Sequence, residues 1–135
     1  MSSEWKIQMA DLANRKAVVV EALTKAFNDR DFSVLEQWWS PDYIQHNPFI
    51  AAKRSGLRAF VEALPRERRY DHGRTFADGD YVIVHGRYVG GDRKTLVAVD
   101  IFRFENEKVV EHWDVLQEEV PAAQTVAGNR MFTKD

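Results

Sequence analysis

Two aspartates and a histidine stand where strands ordinarily carry apolar side chains. From residue 97 the chain reads Val-Ala-Val-Asp-Ile-Phe-Arg-Phe, then Glu-Asn-Glu-Lys, then Val-Val-Glu-His-Trp-Asp-Val-Leu. β-Branched and aromatic residues mark two strands, and the polar tetrapeptide marks the turn between them. A carboxylate in such a strand is costly unless it is paired, protonated or facing a cavity. Asp100, His112 and Asp114 gathered in one dry hollow could do acid/base chemistry. Two carboxylates in a low-dielectric site do not ionise together easily, so one could take protons while the other stays neutral.

Register decides whether they meet. Side chains alternate faces, so Ala98, Asp100, Phe102 and Phe104 share one side, as do Val110, His112, Asp114 and Leu116. A hairpin with an odd-numbered loop pairs even positions with even, and all three polar groups converge. A two-residue turn at Asn106-Glu107 would pair even with odd and separate them. The odd loop is the expected register. Asp100, His112 and Asp114 are then the catalytic candidates, with Phe102 beside them as a wall of the pocket.

Further polar groups cluster upstream. Tyr43-Ile44-Gln45-His46-Asn47-Pro48-Phe49 is a short extended piece that Pro48 stops. Tyr43, His46 and Asn47 are expected at the cavity mouth as substrate-binding groups. Trp38 and Trp39 are adjacent and cannot point the same way, so one belongs to the core and one to a pocket or partner surface. Trp39 is taken as a pocket residue. His85 lies in the apolar run Tyr81–Tyr88 and is a further binding candidate, against the plainer reading of a satisfied core or rim histidine. His46, His85, His112 and Asp100 show no spacing of a metal motif, so neither a metal nor an organic cofactor is expected.

Composition limits the alternatives. A chain of 135 residues, 44% hydrophobic and 30% charged, fits one globular domain over residues 1–135. A net charge of −2 with scattered basic residues leaves no nucleic-acid footprint. With no cysteine there is no disulfide, thiolate nucleophile or cysteine metal site. The chain start lacks a signal pattern, and no long apolar run suggests a membrane span, so a cytoplasmic protein is expected.

The remaining elements must carry the site. Trp5 to about Asn28 has helical spacing in Leu12, Lys16, Val19, Leu23, Ala26 and Phe27. Asp31 can cap a second helix from Phe32 to Trp39, and a third runs from Gly56 to Leu64 and stops at Pro65. Arg66-Glu67-Arg68-Arg69 reads as a solvated strand entry. Strands follow at Arg69–Ala77 and Tyr81–Val89, joined by Asp78-Gly79-Asp80. Met131-Phe132 in the tail looks like an apolar plug. Helices followed by strands predict an α+β fold: a strongly curved, mostly antiparallel sheet around a conical pocket, capped by a long N-terminal helix and two shorter ones. Val97, Val99, Ile101, Trp113 and Val115 fall on the other face, which predicts a homodimer through the sheet.

The motifs Tyr-Ile-Gln-His-Asn-Pro (43–48), Val-Asp-Ile-Phe-Arg-Phe (99–104), Val-Val-Glu-His-Trp-Asp-Val-Leu-Gln (109–117) and Gly-Asn-Arg-Met-Phe (128–132) together resemble the SnoaL-like polyketide cyclase family. The similarity is greatest to its bacterial branch of "predicted SnoaL-like aldol-condensation enzymes". This resemblance implies the cone-shaped α+β fold shared with ketosteroid isomerase and nuclear transport factor proteins. It places Asp114 at the position of the cyclases' acid/base aspartate, and Asn47 or His46 at a polar pocket position. Asp100 matches both a cyclase pocket histidine and the neutral aspartate of ketosteroid isomerase. Asn47 replaces that isomerase's base, so its chemistry is not simply inherited. Glu107 departs from the family's Asn/Asp-Gly-Lys turn and would be strained at positive φ.

The expected activity is cofactor-free acid/base chemistry next to a carbonyl, as aldol cyclisation or keto–enol isomerisation of a small apolar or carbonyl-bearing ligand. The alternative is a non-catalytic binding module or dimeric scaffold of the same fold.

Overall fold

Helix α1 (Ser3–Thr24) lies across the sheet and buries Val18, Val19, Ala22 and Leu23 against it. The computed structural model describes residues 3–134, apart from the side chains of Ile7 and Gln8. Met1, Ser2 and Asp135, which the sequence assigns to the same domain, lie outside the described residues. A π-helical turn (Lys25–Asp29) extends α1 and ends at Arg30, whose φ is 53°. Arg30 donates to the carbonyls of Phe27, Val61, Leu64 and Pro65, tying this turn to the end of a later helix. Asn28 clamps Tyr70 through both its amide atoms, donating to the carbonyl at 3.0 Å and accepting from the N–H at 2.8 Å. Its side chain thus acts as a one-residue strand partner.

Helix α2 (Ser33–Trp38) starts where Asp31 accepts from the N–H of Ser33 at 3.1 Å, and runs directly into strand β1 (Trp39–Gln45). Helix α3 (Lys53–Ala63) is followed by β2 (Arg69–Asp78), β3 (Tyr81–Val89), β4 (Leu96–Glu105) and β5 (Lys108–Glu118). The strands form one sheet in the order β1-β5-β4-β3-β2. Only β1 is parallel to its neighbour; the other pairings are antiparallel. This is the expected α+β architecture with three helices, and the sheet stays open. The helices cover one face, where Trp39, Tyr43, Phe102, Phe104 and Val109 form the centre of the core. Burying each such side chain is worth roughly 2–3 kcal/mol.

The β4–β5 register corrects the expected odd loop. Glu105 pairs with Lys108, so the turn is the two-residue Asn106-Glu107, with φ of 51° and 62°. Positive φ at both positions is what a type I′ hairpin requires. The turn alone would have separated the acids. A bulge intervenes: Phe104 pairs with Val109 and Arg103 with Glu111, leaving Val110 as an extra residue. Val109 is therefore buried in place of Val110, and from Glu111 onward the even residues turn inward. Asp100 sits opposite Asp114 and Phe102 opposite His112. The predicted convergence is real, with a different cause. Glu107 occupies the left-handed region that glycine would favour, and its carboxylate meets Arg15 of α1 at 3.2 Å.

The far face of the sheet is partly covered by the tail. Phe132 is buried, its ring 5.6 Å from His85 and 4.9 Å from the Arg87 guanidinium carbon. Elsewhere a row of apolar side chains crosses the strands: Phe76 pairs with Ile83, Ile83 with Ile101 and Ile101 with Trp113. Phe76, Ile83 and Val115 on this face are exposed, whereas Val97 is buried. Among the described residues no helix is long and apolar enough to cross a membrane.

Candidate active site

The curved face and the helices enclose a cavity of about 140 Å³. A hollow of roughly 150 Å³ accepts a benzene ring, so this one suits a single ring or a short chain. Trp39, Tyr43, Asn47, Asp100, Phe102, His112 and Asp114 line it, together with apolar residues from the three helices. Strand alternation sends Tyr43, Gln45 and Asn47 inward and Ile44 and His46 outward.

A hydrogen-bonded chain fixes the polar groups. Gln45 Oε1 accepts from the Asn47 backbone N–H at 3.0 Å, and Gln45 Nε2 donates to the Tyr43 hydroxyl at 2.7 Å. The amide orientation is thereby set. His112 Nδ1 lies 2.7 Å from the same Oε1 and must be the donor, because an amide oxygen only accepts. Its Nε2 lies 2.7 Å from Asp100 Oδ1. One proton occupies that contact, whether it is written as imidazolium and carboxylate or as imidazole and carboxylic acid. The pair is neutral overall in both forms. Tyr88 donates to the other oxygen, Asp100 Oδ2, at 3.1 Å. Asp100 thus spends both oxygens on the protein.

Asp114 is held differently. Asn47 donates from Nδ2 to Asp114 Oδ2 at 2.7 Å, and its own carbonyl oxygen accepts from the Phe49 N–H at 2.8 Å. Asp114 Oδ1 has no protein hydrogen-bond donor among the described residues. The carboxylate side chain is 8% exposed and stands 4.0 Å from His112 Nε2. Burial pushes its pKa above the usual aspartate range; Asp100 adds to the rise, while Asn47 and His112 oppose it. Burial likewise raises the Tyr43 and Tyr88 phenols, so both remain neutral donors. The Tyr43 hydroxyl accepts from Gln45, and none of the hydrogen bonds among the described residues uses its own proton. The site therefore offers one adjustable carboxylate and one free O–H in an apolar hollow.

Asp100, His112 and Asp114 also present ligand atoms within 4.8 Å of one another, a spacing that could close on a cation. A cation there would have to displace the proton between Asp100 and His112.

A family model described as "SnoaL-like domain" matches residues 20–112. The chain belongs to the SnoaL-like family. Among solved structures it is similar to a provisionally named ketosteroid isomerase from Kribbella flavida DSM 17836, with 19% identity and a TM-score of 0.70 over 82% of this chain and 83% of that one. It is also similar to a provisionally named SnoaL-like polyketide cyclase from Jannaschia Sp. CCS1, with 16% identity and a TM-score of 0.66 over 77% and 85%. A third, AclR from Streptomyces galilaeus, described as a provisional hydroxylase, shares 26% identity with a TM-score of 0.63 over 79% and 81%. Among the curated proteins compared, none matches the chain.

Within this SnoaL-like domain, His46 and His85 depart from expectation. His46 stacks on Trp113 at 5.0 Å and 5°, and its Nε2 lies 2.8 Å from Glu111, all on the outer face. His85 pairs with Val99 and contacts Phe132, because its neighbours Val84 and Gly86 take the inward positions opposite Asp100 and Ala98. Neither lines the cavity. Trp39 does, while Trp38 packs partly buried against the core. Sequence reasoning missed Gln45, Tyr88 and Arg68. Alternation from Tyr43 would have placed Gln45 inward and His46 outward. Tyr88 had no such signal, since its hydroxyl reaches Asp100 from the far end of β3. Arg68, expected in a solvated strand entry, is buried in the cavity wall.

Proposed function

We infer that this SnoaL-like domain is an acid/base catalyst acting on the carbon next to a carbonyl, with keto–enol isomerisation or aldol cyclisation as its outcome. The observation that carries this reading is a raised, buried carboxylate beside a free phenolic O–H in a ring-sized apolar cavity. Asp114 takes the proton α to the carbonyl on its free oxygen. Tyr43, oriented by Gln45, donates to the carbonyl oxygen as it gains enolate charge. Asn47 fixes the Asp114 carboxylate. Asp100 and His112 act as positioning residues: their mutual hydrogen bond, with Gln45 and Tyr88 on the remaining polar atoms, fixes the wall against which Asp114 stands. Trp39 and Phe102 hold the apolar part of the ligand.

Cyclohexanone in D2O is the simplest test. The protein should accelerate loss of the α-proton NMR signals. Asp114→Asn should reduce that acceleration by about 10²–10⁴-fold, the usual worth of a general base. Exchange no faster than in buffer would leave a binding module. A metal found in stoichiometric amount by elemental analysis of the purified protein would move Asp100, His112 and Asp114 to ligand roles.

The apolar row from Phe76 to Trp113, exposed at Phe76 and Ile83, supports a second proposal, that another copy of the chain covers the outer face.

A further inference from the structure

We propose that the ligand of this cavity carries a carboxylate, held by Arg68 and Arg93 at the end of the pocket away from Asp114. The inference rests on the reading of the cavity as a site for a small carbonyl compound and adds the substrate class.

Three arginines packed on the sheet meet carboxylates, whereas the exposed Arg69 and Arg74 of β2 form no ion pair among the described residues. Arg15 meets Asp80 and Glu107, Arg87 meets Asp71 and Glu119, and Arg103 meets Glu105 and Glu111. Arg68 is only 4% exposed, yet no carboxylate lies within ion-pair distance of it among the described residues. Its Nη1 donates to the Gly90 carbonyl at 3.2 Å, the one protein acceptor its guanidinium finds. Arg93, exposed in the turn between β3 and β4, lines the same cavity and is likewise without an ion pair among the described residues. The two cations lie near enough for Arg93 to oppose the charge on Arg68, in addition to the larger effect of burial. A guanidinium on the cavity wall beside a second one, with no protein counter-ion, favours an anion in the space between them. Planar two-point recognition of a carboxylate is what the guanidinium fork does well.

The placement also sets the ligand's direction. Leu96, on the cavity wall next to that turn, is four residues from Asp100, about 13 Å along the strand. An anion is repelled from Asp114 and attracted to the arginine end. The carbonyl of the same molecule is thus turned toward Asp114 and Tyr43. The small cavity volume fits one ring between them.

Calorimetric titration of the full chain at pH 7 with three probes tests this. Cyclohexanecarboxylate and 4-oxocyclohexanecarboxylate should each bind about tenfold tighter than methyl 4-oxocyclohexanecarboxylate at low salt, as a charge-assisted contact predicts. Added salt should shrink the preference. Arg93→Ala, at an exposed position, should reduce the preference severalfold, and Arg68→Met should abolish it. If Arg68→Met does not fold, Arg93→Ala decides. Equal binding of acid and ester, or an unchanged preference in Arg93→Ala, overturns the proposal. Cyclohexanecarboxylate has no ketone to exchange, so its binding reads the arginine end alone and a failed exchange assay leaves this result standing. Conversely, catalysed exchange of cyclohexanone without any carboxylate preference removes this inference alone.

Discussion

Strand β5 carries one half of a histidine–carboxylate contact on each face, His112 inward and Glu111 outward. On the inner face His112 meets Asp100 at 2.7 Å, with side chains 8% and 2% exposed. On the outer face His46 meets Glu111 at 2.8 Å, with side chains 41% and 16% exposed. The chemistry of the partners is nearly identical, yet their settings differ. Glu111 also accepts from Arg103 at 2.9 Å, and His46 lies flat on Trp113. The outer pair is one link in a solvated network that water and salt can replace. The inner pair has no water to fall back on, so its proton, Gln45 and Tyr88 must satisfy every polar atom. Burial turns an ordinary ion pair into a fixed piece of a site.

Breaking the two pairs should separate them sharply. Asp100→Ala should destabilise the fold by about 3–5 kcal/mol, because it strands a buried partner. Glu111→Ala should cost less than about 1 kcal/mol, as exposed pairs do. Urea unfolding of both variants measures the gap; equal losses would erase the distinction between the faces.

The outer face can be challenged next through its apolar row. The protein should sediment as a dimer at micromolar concentration, and Ile83→Lys should shift it to monomer by placing a charge in the middle of that row. A wild-type monomer under those conditions would remove the proposed partner.

The smallest effect is in pH dependence, and it has opposite signs on the two faces. Burial raises Asp114, so the folded protein keeps a proton there that the unfolded chain has lost. Its contribution is therefore present in acid and fades as pH rises from the ordinary aspartate range through the raised folded value. Glu111 is lowered, first by the His46 hydrogen bond and further by Arg103, against an opposing effect of burial. Its contribution is present above the ordinary glutamate value and is lost as pH falls through the folded one. Thermal melts across pH 3–8 should show Asp114→Asn flattening a decline and Glu111→Gln flattening a rise.

Much of the fold was legible because it rests on local rules. The apolar spacing of α1, the stop at Pro65 and the β-rich runs from Arg69 onward predicted their elements closely. Asp100 and Asp114 were recognisable as site candidates because charges in apolar strands need a reason. The wrong assignments came from faces and partners. Residue type alone points to His46 and His85, although alternation turns both away from the cavity. The charged neighbours of Arg68 suggest a solvated segment, whereas the end of α3 and the β3–β4 turn close over it.

The amino-acid sequence by itself determined the element order, the apolar faces and the presence of unusual acids in β4 and β5, since these follow from period and composition within short windows. Only the tertiary structure decided that Asp100 and Asp114 meet. That outcome depends on one unpaired residue, Val110, which reverses the parity that a two-residue turn imposes. A bulge is selected by how two strands and a core fit together, and no residue type near Val110 specifies it alone.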